Sequence, residues 1–127
     1  MTARKIRIMS LMAKQEQRQA GQLAKQLGDL KNRQMQQFDM VDRLNQVLEQ
    51  AGTPPREVMT PGQLKTRQFI GSTLVQQLEE MRGRMAETQV QRQEVEAGLN
   101  HHHQRGRILT DRIDQTQRDA ASQVAQG

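Results

Sequence analysis

All three prolines of this 127-residue chain fall within residues 52–62, Gly-Thr-Pro-Pro-Arg-Glu-Val-Met-Thr-Pro-Gly, and no other feature limits the fold as much. Proline breaks a helix interior, so the stretches on either side, about 48 and about 63 residues, are free to run as uninterrupted helix. The expectation is an all-α fold, a long two-helix antiparallel coiled-coil hairpin. Its boundaries are a helix over about 4–51, a turn over 52–61 and a helix over about 62–124, all within one domain covering residues 1–127.

Heptad spacing supports the pairing. In the first arm, steps of three and four land on Ile6, Met9, Ala13, Glu16, Ala20, Leu23, Leu27, Leu30, Gln34, Gln37, Val41, Leu44, Leu48 and Ala51. Eleven of these fourteen are apolar, enough to turn one seam toward a partner helix. The second arm gives Leu64, Arg67, Gly71, Leu74, Leu78, Met81, Met85, Thr88, Arg92, Val95, Leu99, His102, Gly106, Leu109, Ile113, Thr116, Ala120 and Gln123. Ten of these eighteen are apolar, so the second seam is weaker. Glycines inside both helices and eight methionines point to adaptable packing of modest stability.

The ends of the arms carry their own signals. Gly52 is placed to close the first helix in a left-handed conformation. Thr60, Pro61 and Gln63 read as a cap, a first helical residue and the return half of a capping box. At about 1.5 Å per residue the arms measure roughly 70 and 95 Å. Centring the hairpin on the turn sets residue i opposite roughly residue 113 minus i. That register leaves residues 108–124 overhanging, and it brings Phe38 and Phe69 within about two helical turns of each other near the turn. Neither phenylalanine is a seam residue, which frees both for an outside surface.

Composition excludes several functions. Only 34% of residues are hydrophobic and 2% aromatic, while 22 are glutamine, so a thick core with an enclosed catalytic cavity is not expected. Neither a glycine-rich phosphate loop nor a nucleophile elbow is present, and the chain reads as a non-enzyme without cofactors. His101, His102 and His103 point about 100° apart on a helix and cannot converge on one ion, so no metal is expected. His102 should face the seam with its neighbours outside. No apolar run is long enough to span a membrane, and no secretory leader is read at the start. The lack of cysteine fits a reducing compartment.

Charge is unevenly placed. Residues 1–33 hold eight Lys or Arg against Glu16 and Asp29, whereas residues 71–100 hold three against five acids. Arg4, Lys5 and Arg7, with Ile6 and Ile8 among them, make the start of the chain a candidate surface for an anionic partner. Nucleic acid is not the favoured one, because single-strand binders add aromatic stacking platforms and this chain has only Phe38 and Phe69.

The segment Met-Thr-Pro-Gly-Gln-Leu-Lys-Thr-Arg-Gln-Phe-Ile at residues 59–70, after a basic helix rich in Gln and Ala and before an apolar stretch at residues 74–81, resembles the FliJ family of flagellar type III export proteins. The likeness extends over most of the chain. Gln68, Phe69 and Ile70 are its closest local match. The chain has no tyrosine late in the first helix, where the family pattern has them, and Thr73 stands where the pattern has leucine. The resemblance implies a cytoplasmic stalk, similar in shape to the gamma subunit of rotary ATPases and peripheral at the inner-membrane export apparatus. Its implied partners are the export ATPase hexamer, the cytoplasmic domain of the export-gate membrane protein, and export chaperones. It marks Phe69 for gate contact, with Phe38, Val41 and Leu44 added by location. The ATPase-facing end is then Arg4, Lys5, Ile6, Arg7 and Ile8. Weak self-association through the partly polar seam is compatible with the sequence, whereas direct membrane insertion is not expected. The other reading is a generic coiled-coil adaptor or chaperone that binds a partner helix.

Overall fold

The computed structural model describes residues 2–52 and 58–126. It is an all-α helical hairpin of two long helices, α1 (Thr2–Gly52) and α2 (Pro61–Gln126), that pack on each other, with no strand among the described residues. Both helices run one or two residues beyond the expected bounds at each end. The prolines at positions 54 and 55, on which the turn was expected to hinge, lie outside the described residues.

The start of α2 closes as its sequence predicts. The Thr60 amide donates to Gln63 Oε1 at 2.9 Å and the Gln63 amide donates to Thr60 Oγ1 at 3.2 Å, so each otherwise orphaned backbone donor is satisfied by the other residue's side chain. Pro61, which has no N–H to lose, takes the first helical position. The end of α1 does not close as expected. No described glycine has a positive φ, so Gly52 continues the helix and forms no left-handed cap. Arg67 takes over that function. Its Nε donates to the Ala51 carbonyl at 2.7 Å and its Nη2 donates to the same oxygen, placing a cation on the negative end of the helix dipole.

The chain divides into two compact units, one of Met1–Asp29 with Arg92–Gly127 and one of Leu30–Gln91. In the first unit, a Cβ on Gly106 would lie 3.9 Å from Glu16 Cβ, and one on Gly98 would lie 3.2 Å from Leu23 Cδ1. These contacts put residue i level with about residue 122 minus i. Met9 is then level with Ile113, Ala13 with Leu109, Leu23 with Leu99 and Leu27 with Val95. Met9, Ala20 and Leu109 are buried.

In the second unit, Gln37 Nε2 donates to Thr88 Oγ1 at 3.1 Å and Gln34 Nε2 donates to Gln89 Oε1 at 2.6 Å, which agrees with that relation to within one turn. Val41 is level with Met81, Leu44 with Leu78 and Leu48 with Leu74. Thr88 is buried, and its hydroxyl also donates to the Arg84 carbonyl one turn back.

The register therefore differs from the turn-centred expectation by about nine residues, more than two turns. Gly52 stands level with Ile70, so the first two turns of α2 extend past the end of α1. Two corrections follow. Residues 108–120 do not overhang: Leu109 is buried, and Ile113, Thr116 and Ala120 are half-buried. Leu64, nominally a seam residue, is 44% exposed because the level it would face lies past the end of α1.

Candidate interaction surfaces

The expected tip residues separate into two groups. Phe38 and Phe69 are 67% and 71% exposed, on faces turned away from the seam. Val41 and Leu44 are half-buried seam residues that hold the helices together. Nor do the phenylalanines share a patch. Phe38 is level with Arg84, about 15 residues and roughly 22 Å along α2 from Phe69. Their expected proximity rested on the turn-centred register and is corrected with it.

The basic end also divides. Arg4, Lys5 and Arg7 are exposed and Ile8 is 48% exposed, whereas Ile6 is half-buried in the seam. Leu11 and Met12, which sequence reading passed over, are 60% and 43% exposed. They carry a signal of their own: Ile8, Leu11 and Met12 follow the spacing i, i+3, i+4, so they share a helix face distinct from the seam line of Ile6, Met9 and Ala13.

The seam of the first unit contains a charged cluster. Glu16 is 8% exposed; its Oε2 lies 2.5 Å from His102 Nδ1, and its Oε1 lies 3.3 Å from Arg105 Nε. The hydrogen bond from His102 lowers the Glu16 carboxyl below its ordinary value, against the opposing effect of burial and with help from the positive charge of Arg105. Both oxygens of the carboxylate are tied down, as a buried charge requires, since an unpaired one would be costly there. His102 is half-buried while His101 and His103 are exposed, as helical geometry dictates.

Beside this cluster runs an open groove of about 540 Å³, which exists because Ala13, Ala20, Gly21, Ala24 and Gly106 are small. Among the described residues, no group of three or more His, Asp or Glu side chains is placed to hold a metal ion. Among the described residues, no helix is long and apolar enough to cross a membrane either.

The second unit has a neutral counterpart in Gln34, Gln37, Thr88 and Gln89. The amide groups of the two α1 glutamines are bonded across the seam, while the buried Gln37 Oε1 has no hydrogen-bond partner among the described residues. Such a layer weakens pairing but opposes sliding of one helix along the other.

Compared with known proteins, the chain matches no family model, no curated protein and no solved structure. Its functional reading therefore rests on its residues and their geometry.

Proposed function

We propose that this chain is a non-enzymatic stalk or adaptor of a flagellar-type protein export apparatus, one that links a hexameric export ATPase to the membrane export gate and assists substrate or chaperone handling. The observation that carries the reading is the division of labour along the helices. The seam residues are consumed in pairing α1 with α2, while Phe69 near the start of α2 and the cations near the start of α1 remain exposed for partners. The sequence likeness at residues 59–70 supplies the export context. In this reading Phe69 faces the gate, Arg4, Lys5 and Arg7 face the ATPase, and the protein works in the cytoplasm at the inner membrane.

The test is binding to the purified ATPase and to the cytoplasmic domain of the gate. Replacing Arg4, Lys5 and Arg7 by glutamine is expected to weaken ATPase binding most at low salt, because the Debye length shrinks from roughly 10 Å at 0.1 M to about 3 Å at 1 M. Phe69→Ala is expected to weaken gate binding while leaving helicity intact, since its ring is largely exposed. Unchanged binding of both partners by both variants would overturn the proposal in favour of a generic adaptor.

A further inference from the structure

We propose that the outward face of the first turns of α1 adsorbs to the surface of an anionic phospholipid membrane. Ile8, Leu11 and Met12 form an apolar patch on the outward side of the helix, away from the seam with α2. Successive residues turn by about 100°, so Arg4 falls on the same face one turn earlier, Lys5 borders one edge, and Arg7 and Lys14 border the other. All four cations are exposed.

Along this stretch of α1 the exposed charged side chains are all cationic, and the acids at the same levels, Asp111, Asp114 and Asp119, belong to α2. Glu16 is the only carboxylate between residues 2 and 28, and it is buried and engaged by His102 and Arg105. Because Glu16 is held in the seam, the surrounding lysines and arginines are not neutralised within their own helix. Aliphatic side chains flanked by long cationic ones are the composition of a helix lying in the plane of an interface, where it sinks about 5–10 Å while the charged heads meet lipid phosphates.

The exposed aliphatics Leu11 and Met12, which the ATPase reading does not use, fit a lipid surface better than they fit a protein. Residues 2–30 contain no aromatic residue to anchor a protein interface, and Arg4 and Arg7 are exposed cations rather than side chains seated in a pocket. The three protruding aliphatics sit on the outward surface of a single helix and line no part of the groove beside Glu16. Adsorption to lipid requires depth and charge rather than shape.

This inference does not depend on the stalk reading, and the two occupancies of the basic face exclude each other. The test is sedimentation of the full chain with vesicles of equimolar phosphatidylglycerol and phosphatidylcholine, and with phosphatidylcholine alone. Binding is expected to the anionic vesicles only, and to fade as salt is raised. Arg4→Gln with Arg7→Gln should weaken it about 25-fold, roughly fivefold per cation. Leu11→Gln with Met12→Gln should weaken it at least about tenfold at every salt concentration, with helicity unchanged by circular dichroism because both side chains are exposed. Failure to sediment with anionic vesicles at low salt would overturn the proposal and return this face to an acidic protein. Equal binding to neutral vesicles, or unaltered binding by the Leu11/Met12 variant, would overturn it as well.

Discussion

Glu16 and His102, 86 positions apart in the chain, meet at 2.5 Å across the seam, and Glu16 is among the most buried side chains of its unit. The pair makes a pH prediction. A carboxyl whose folded value lies below its ordinary 4.5 adds stability above that pH and loses it as the pH falls through the folded value. Glu16→Gln should therefore melt below the parent protein near neutral pH, and the gap should close once both are acidified below the carboxylate range. Thermal melts by circular dichroism at the two pH values check this; a gap that persists in acid would detach the effect from the ionised carboxylate.

The register is testable by cross-linking, because the chain has no cysteine of its own. Leu23→Cys should couple to Leu99→Cys, and in the other unit Leu44→Cys should couple to Leu78→Cys. The turn-centred register instead sets Leu23 opposite Val90. Efficient coupling of Leu23→Cys with Val90→Cys and none with Leu99→Cys would displace the register described above.

Arg67→Ala removes the guanidinium from the Ala51 carbonyl. The expected cost is about 1 kcal/mol, the usual net value of a hydrogen bond with some added contribution from the helix dipole. Faster hydrogen exchange should be confined to the last turn of α1 and its neighbours. Uniform acceleration along both helices would point to a wider packing role for Arg67.

Two glycines should respond differently to alanine. A Cβ at Gly83 meets nothing within 4 Å, so Gly83→Ala should raise stability by about 0.5–1 kcal/mol through helix propensity. At Gly98 the new carbon would come within 3.2 Å of Leu23 Cδ1, and repacking should absorb the gain. Urea midpoints of the two variants check the contrast, and equal gains would show that Leu23 yields freely.

The seam was legible in the sequence because heptad spacing reports which side of a helix is apolar. Every first-arm seam residue is buried or half-buried, and in the second arm only Leu64 and Gln123 are exposed. The register was within reach too. Pairing the two seams in opposite directions allows offsets only a heptad apart, and sliding by one heptad would set Glu16 against Leu99 and Gln37 against Leu78. The observed offset sets Leu44 on Leu78 and lets polar groups meet polar groups. Taking the middle of the turn as the centre of the hairpin missed this, since it weighed loop position instead of side-chain matching. Exposure of Leu11 and Met12 was legible from their spacing, whereas the Arg67 cap was not, because nothing local announces a partner 16 residues away.

The two helix ends nearest the turn differ in what they depend on. Thr60 and Gln63 complete the start of α2 from within four consecutive residues, so that end can nucleate before any tertiary contact exists. The Ala51 carbonyl takes both its guanidinium donors from Arg67, which is in place only when α2 is docked. The final turn of α1 thus depends on docking in a way the start of α2 does not, making that turn a reporter of whether the two helices are engaged.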